Sequence, residues 1–567
     1  MRQNLRHPAL SAERLATRRR LIAQGKDPYP PAVRPTHTLG QLHHLYRRLP
    51  ADTATGEFAV LVGRVMAHRA HGGMGFADLV DAGAGIQLIL TDDASQAPRL
   101  YAGWQADVDL GDQVSVTGEI VTSRTGALSV RVTGWELAAK ALRPPPGTAR
   151  PRRDSTWASG AGRRDQLPPA QRMMLDRQEM TRAKGRAAVL RAVRGVLDSA
   201  AYLEADTPLL HALPGGTARP FRTWMNAWQV PLYLRGTTEL YLKRLIVGGA
   251  ERVFELGRLF RNEGTGAMHH PEFTVCEGYA AYTGYRDSAD TVERLVRAAA
   301  AALHETEGAT GITSAILHGS AAWPDRSTSA AAHGDTGNPA DPDGGPGGPN
   351  NPHNPHSTGG TIPPAPFARI DLHQLLSEYL KEPVTSATSR ETFLRHARRH
   401  GLDAPDDATA PALALLLFRK VVRPTLTEPT FVFDFPSDAA RFARPRAGHP
   451  TLVEAWSLIL AGTDIGQGCT ELTDPVEQRR RLTEQQSEPG LEHLTLDEDF
   501  LATLEYGLPP LGGFSLGVDR LIGALRDDGR RFSDHLCLPL ERAVTGERIG
   551  SDAPPADGLS REPAVQE

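Results

Sequence analysis

Residues 239–274, ELYLKRLIVGGAERVFELGRLFRNEGTGAMHHPEFT, decide the fold. They read as two strands, Val253–Glu263 and Glu272–Tyr282, joined by a short loop of Gly, Met and His. Strand side chains alternate between faces, so Arg261 and Glu263 point the same way. By the same rule Phe273, Glu277 and Tyr279 share one face of the second strand. If that face lines a cavity, an arginine, two carboxylates, an aromatic plate and a phenol converge there. Burying polar groups is costly unless they are partnered, so such a face points to a ligand. The hairpin alone would also suit a solvated antiparallel pair; the rest of the chain decides against that.

Working outward, 567 residues predict two or three domains, each with a full core. A net charge of −4 neither demands nor excludes nucleic acid, because local patches matter more than totals. Cys276, Cys469 and Cys537 are too few and too scattered for a disulfide framework or a zinc site. No apolar run approaches the roughly 20 residues that span a bilayer. The Arg-rich N-terminus contains Glu13 and no apolar signal core, so it reads as a helix rather than a targeting peptide. A cytoplasmic location with no membrane partner is expected.

Residues 1–50 form an N-terminal helical extension, with a basic amphipathic helix over 8–25. Over 51–145 the pattern changes to five short β-type runs, beginning with FAVLVGRVMAHRA at 58–70, which suit a small closed barrel of the OB type. Residues 146–177 are rich in Pro, Arg and Gly and read as a linker. The block 178–318 opens with a helix carrying Val189, Val193, Val196 and Leu197 at helical spacing, and passes into an extended segment ending at Pro208. Residues 319–365 are almost wholly Gly, Pro, Asn, Asp, Ser and His, and are expected to be a disordered insertion. His353 and His356 within it fit a solvated tract better than a metal site. Helices and mixed strands resume over 366–548, and 549–567 reads as a disordered tail.

Two further stretches carry chemistry. In WSLILAGTDIGQGCTELT, residues 456–473, a turn at Ala461-Gly462-Thr463 leads to an arm on which Gln467, Cys469 and Glu471 share a face. In GGFSLGVDRLIGAL, residues 512–525, Gly512, Gly513 and Gly517 permit close backbone approach. Arg520 then opens a helix, where free N–H groups and a guanidinium together can meet a phosphate. Each pattern alone fits plain packing or a solvated face.

Together they resemble the signature motifs of class II aminoacyl-tRNA synthetases, in the lysyl branch. The first motif is the helix and extension ending at Pro208, the second is FRNEG (260–264) with HPEFT (270–274), and the third is GVDR (517–520). The lysyl-type stretches are LPGGTARPF, ELYLKRLIVGG, TELTDPVEQ and LEYGLPP. The resemblance covers nearly the whole chain apart from the insertion and the tail. It implies an α+β fold: an N-terminal OB-fold β-barrel plus a class II synthetase catalytic domain built on an antiparallel sheet flanked by helices. It also implies a homodimer through the first motif, and the apolar helix before Pro208 agrees with that.

The activity implied is attack of an amino-acid carboxylate on the α-phosphate of ATP, followed by transfer of the acyl group to tRNA. Positioning and charge neutralisation supply such catalysis. Arg261 would bridge carboxylate and α-phosphate, Glu263 would meet the adenine amino group, and Phe273 and Arg520 would cover the two adenine faces. Arg520 would also reach the γ-phosphate, and His269 would assist at the phosphates. Glu239 and a carbonyl of Gly215 or Gly216 would hold the α-ammonium. Glu277, Tyr279 and Glu471 would close the far end of the pocket, where acceptors at fixed depth favour lysine over a neutral amino acid. In the barrel, Phe76 and Gln87 match anticodon-contacting positions, although Phe76 fits barrel core about as well.

Departures from the pattern concentrate near the chemistry. Met268 stands where an arginine or aromatic is usual, and His270 replaces an asparagine. Ser457 and the shorter Asp464 occupy the two acidic positions that hold Mg2+. Gln467 replaces the asparagine that meets the carboxylate, and Cys469 the aromatic that packs the lysine stem. Gly278 is expected to open space in the pocket. The GGTARPF loop is one residue short, Ser515 replaces a glycine, Ala127 an acidic residue, and His68 an arginine. Three functions remain open at this point: a lysyl-tRNA synthetase, a paralogue passing lysine or a modified lysine to a small molecule or protein, and a catalytically weak regulatory binder of tRNA or nucleotide.

Overall fold

The computed structural model describes residues 11–71, 73–92, 99–146, 167, 169–216, 218–264, 266, 269–318, 365–405, 407–487, 491, 494–530 and 532–536. Met268, His353, His356, Cys537, residues 319–364 of the insertion, much of the 146–177 linker and the 549–567 tail lie outside the described residues. The chain forms two units, Met1–Thr181 with Leu538–Glu567, and Arg182–Cys537.

Alternation of small and branched apolar residues closes the barrel of the first unit. Its strands are β1 (Ala54–His71), β2 (Met74–Asp81), β3 (Ala84–Thr91), β4 (Gln113–Thr122) and β5 (Leu128–Ala139). They join in the closed order β1-β2-β3-β5-β4, with β3 and β5 parallel. Leu61, Val65, Leu79, Leu88, Val116 and Val130 fill the interior. The basic helix is Ala12–Ala23, capped by Ser11. Its Arg14 is buried and donates to the carbonyls of Leu110, Ala141 and Arg143, so part of the basic character is structural.

The second unit is built on β6 (Leu203–Glu204), β7 (Leu210–His211), β8 (Arg222–Met225), β9 (Val230–Leu234), β10 (Arg252–Phe260) and β11 (Glu272–Ala281). It continues with β12 (Ala368–Asp371), β13 (Thr430–Pro436), β14 (Pro445–Arg446), β15 (His449–Leu460), β16 (Thr463–Thr470) and β17 (Leu511–Gly517). The large sheet runs β12-β13-β15-β16-β17-β11-β10-β6, with β14 beside β15. It is antiparallel through its centre and parallel in its outermost pairs, β12 with β13 and β6 with β10. A small sheet, β7-β9-β8, stands apart from it.

Period-two alternation gives the large sheet two unlike faces. Phe254, Cys276, Trp456, Leu458, Phe514 and Leu516 point back into an apolar core with helices Arg177–Ser199, Tyr285–Glu307 and Val518–Arg526. Val189, Val193 and Leu197 are fully buried in that core. The apolar stripe of the Arg177–Ser199 helix therefore serves its own sheet and is no argument for a dimer.

The opening hairpin also differs from its sequence reading. Strand β10 ends at Phe260, and the Glu263 N–H donates to the Arg261 carbonyl at 2.8 Å. That local turn takes Arg261 and Glu263 off the strand, into the loop rather than onto the sheet face.

Candidate functional site

The front face of the large sheet carries rows of polar and small residues in register. One row crosses Glu255, Glu277, Ser515, Gln467 and Ser457 on β10, β11, β17, β16 and β15. Its neighbour crosses Val253, Tyr279, Gly513, Cys469 and Ala455. A cavity of about 980 Å³ opens over these rows and is lined by every residue expected to meet ATP, amino acid or metal: Gly216, Glu239, Arg261, Glu263, His269, Phe273, Glu277, Tyr279, Ser457, Asp464, Gln467, Cys469, Glu471 and Arg520.

At one end the charges form a closed set. Glu239 opens helix Glu239–Val247, and Lys243 one turn later donates to Glu239 Oε1 at 2.6 Å. The same ammonium lies 2.6 Å from Oε2 of Glu471, which directly follows β16 and bridges to Ala443. Lys243 is 1 % exposed, with the rings of Phe442 and Tyr279 at 4.5 and 5.7 Å from its nitrogen. Burial pulls the Lys243 pKa down, but Glu239 and Glu471 outweigh it and hold the ammonium charged. Glu471 is pushed the other way: burial raises its pKa although Lys243 opposes that, and the Cys469 thiol donates to Oε1 at 3.2 Å. Burial likewise raises the Tyr279 and Cys469 values.

Glu277 is satisfied separately. The Thr238 N–H and hydroxyl donate to Oε2, and the Ser515 hydroxyl reaches Oε1 at 3.3 Å. Ser515 thus gives this carboxylate a donor that the usual glycine lacks. Gly513 is required at its position, since a Cβ there would meet Glu471 Oε1 at 2.4 Å and Tyr279 Cε1 at 2.6 Å. Gly278 does not widen the cavity, contrary to the sequence reading. It points to the back of the sheet, where a Cβ would strike Phe514 at 2.6 Å.

The other end is open. Arg261, Glu263 and His269 are exposed, and the Arg261 guanidinium stacks over Phe273 at 5.3 Å. His270 is buried, with Nδ1 2.8 Å from the Glu272 carbonyl, so its role is to shape the loop. Asp519 accepts the Thr274 N–H at 2.6 Å and pairs with buried Arg186, locking the helix that presents Arg520 to the start of β11. Burial lowers the Arg520 pKa; nearby Asp464 opposes that, and Arg261 and Arg423 add to it. The Asp464 carboxyl is raised by burial despite Ser457, Arg520 and Arg423 beside it.

This donor set does not fit a magnesium ion held by the protein. Magnesium wants several oxygen anions in tight octahedral geometry. Asp464 offers one carboxylate among arginines, and no group of three His, Cys, Asp or Glu able to hold a metal occurs among the described residues.

In the barrel, Phe76 points outward and half-exposed while Ala77 and Leu79 point in, so it is not core. Gln87 lies on the same outer face, beside Asp78 in register and accepting from Ser129 at 3.1 Å. His68 pairs with inward-facing Ala77 and meets the Tyr101 ring at 6.0 Å; Arg69 is the residue that pairs with Phe76. Arg69 therefore shares the outer face with Phe76, and His68 does not. Exposed Ala127 sits at the β4–β5 turn.

Sequence reasoning missed Lys243, Phe442 and Arg423. The four-residue step from Glu239 to Lys243 in ELYLK was a legible signal for a helical ion pair. Phe442 and Arg423 carry no local signal, because only the tertiary fold brings their segments to the cavity.

Comparison with known proteins places these observations. A family model of tRNA synthetases class II (D, K and N) matches residues 169–529, and one of OB-fold nucleic acid binding domains matches 59–138. The chain is 37 % identical to a lysine–tRNA ligase of Mycolicibacterium gilvum over 536 residues, covering 93 % of this chain and 96 % of that protein. It is 37 % identical to lysine–tRNA ligase 1 of Mycobacterium tuberculosis strain H37Rv, with 93 % and 95 % covered. It is also 36 % identical to the lysylphosphatidylglycerol biosynthesis bifunctional protein LysX of Mycolicibacterium vanbaalenii, covering 93 % of this chain and 43 % of that one.

Proposed function

We propose that this chain, which belongs to the lysine–tRNA ligase family of class II tRNA synthetases, activates lysine with ATP and passes the lysyl group to tRNA. The observation that carries the reading is the buried ammonium of Lys243 between Glu239 and Glu471, beside Tyr279. With Glu277, that end of the cavity sets three carboxylates against one resident cation. A substrate with two ammonium groups would complete its charge balance, and a neutral amino acid would leave buried acceptors unpaired.

In this reading a lysine carboxylate oxygen attacks the α-phosphorus and the bond to the β-phosphate oxygen breaks, releasing pyrophosphate. Arg261 brings carboxylate and α-phosphate together against their like charge, while Phe273, Glu263 and Arg520 hold the adenine. His269 meets the phosphates. A tRNA terminal hydroxyl then attacks the acyl carbon of the adenylate and AMP leaves. Class II synthetases generally use ATP with magnesium; no step here is routed through a metal, because Ser457 and Asp464 do not form a site for one.

The outer barrel face with Phe76, Gln87 and Arg69 suits single-stranded bases, which stack on aromatics and bond along their edges. A homodimer is supported by an exposed apolar group, Leu203, Leu209, Leu210, Trp224 and Trp228, along the first motif and the small sheet. No helix among the described residues is long and apolar enough to cross a membrane, and we place the activity in the cytoplasm.

Incubation with ATP, labelled lysine and total tRNA tests the reading, with a labelled base-labile ester on lysine tRNA as the expected product. A small-molecule acceptor is the second reading, favoured by the identity to LysX being nearly equal to that with the ligases. Activation without tRNA charging would select it.

A further inference from the structure

We infer that Arg423 stands at the phosphate end of the cavity in the role of a protein-held divalent cation, so that ATP binds there without a metal. The inference rests on the ATP reading above and deepens it.

Arg423 is placed with care. Helix Ala410–Leu417 runs into a π-helical turn, Phe418–Val422, and then a 3₁₀ turn, Arg423–Thr425. Such π-turns recur at functional sites. Two backbone hydrogen bonds clamp this segment to the β15–β16 turn: Ala461 N–H to the Thr427 carbonyl at 2.9 Å, and Gly462 N–H to the Leu426 carbonyl at 2.8 Å. A Cβ on Gly462 would meet the Pro424 carbonyl oxygen at 3.1 Å, so glycine permits the close approach. The start of β16, directly after that turn, carries Asp464, whose backbone carbonyl faces Arg520 Nη1 at 3.4 Å. The two arginines are therefore fixed to one hairpin.

Arg423 Nε is buried and has no hydrogen-bond partner among the described residues, and Arg423 lines the cavity beside Ser457 and Asp464. An unmatched guanidinium donor in such a place awaits an acceptor, and phosphate oxygens are acceptors only. A dication would meet Arg261, Arg423 and Arg520 around a single carboxylate and be repelled by them. A triphosphate would be attracted by the same three groups, and the guanidiniums offer charge-assisted bonds to its oxygens. When pyrophosphate leaves, Arg423 and Arg520 remain to hold its charge.

The test is calorimetric titration of the full chain with ATP, once in EDTA and once in magnesium, for the wild type and R423A, with adenosine as a phosphate-free probe. The wild type is expected to bind ATP in EDTA within about threefold of its affinity in magnesium, and R423A to lose about tenfold to hundredfold in EDTA. Adenosine affinity should be the same for both proteins, which shows that R423A is folded. Wild-type binding of ATP only in magnesium overturns the inference alone. So does equal loss of ATP and adenosine by R423A, since Arg423 would then act through structure. No ATP binding in either buffer overturns the ATP reading and the inference with it.

Discussion

At the end of the cavity proposed to take the amino acid, each buried charge already meets a counter-charge or a donor: Lys243 lies between Glu239 and Glu471, and Glu277 accepts from Thr238 and Ser515. At the end proposed to take the nucleotide, Arg261, Glu263 and His269 are exposed, and Arg423 keeps a buried donor unmatched. The difference suits the roles proposed for the two ends. Selecting one side chain needs acceptors at fixed depth, and a closed ionic network fixes them before the substrate arrives. Binding a triphosphate needs donors kept available, and leaving them unpaired trades stability for affinity.

The sharpest way to break this comparison is E471Q. It removes a buried charge from the closed set and leaves Lys243 with Glu239. Affinity for lysine should fall at least about 100-fold, by the size of a broken buried pair, while ATP affinity stays unchanged. Equal loss of both ligands would mean that the two ends are not independent. G513A probes the same end through shape. Its Cβ displaces Glu471 and Tyr279, and lysine affinity should fall about tenfold in calorimetry. Unaltered affinity would show that Glu471 is not held against β17.

The smallest effect is on pH dependence. Burial raises the Glu277 and Glu471 pKa values, so these groups take up protons at higher pH than ordinary carboxylates. The ionised form binds an ammonium and the protonated form does not. Lysine affinity should therefore fall on acidification, beginning at a higher pH than the titration of ordinary carboxylates would give. Raised folded-state values also mean that these carboxylates favour the folded state more as pH falls, so the loss cannot be ascribed to their unfolding the protein. A flat profile would place the lysine amines elsewhere.

Much of this site was legible because a strand repeats every two residues. Phe273, Glu277 and Tyr279 could be put on one face from the sequence, and the structure puts them there. The same rule, applied to Gly278, would have turned it to the back face; assigning it to the cavity ignored alternation. The end of β10 at Phe260 was not legible, since it depends on a loop hydrogen bond rather than on residue pattern. Helix Arg177–Ser199 showed its apolar stripe plainly, but an apolar stripe does not say whether its own sheet or a partner covers it. A bulge in β1 between Val65 and Ala67 shifts the register, so that Arg69 rather than His68 faces Phe76; sequence pattern alone does not show it. Arg423 was hidden for a different reason: its meaning depends on a clamp between segments that only folding brings together.

The central claim is that one cavity holds lysine at its closed ionic end and ATP at its open cationic end, with their reacting groups meeting at Arg261. Lysine-dependent exchange of labelled pyrophosphate into ATP by the wild-type chain tests it most directly. Exchange should require lysine and be lost in E471Q. Exchange supported equally by neutral amino acids, or none with lysine while both ligands bind, would contradict it.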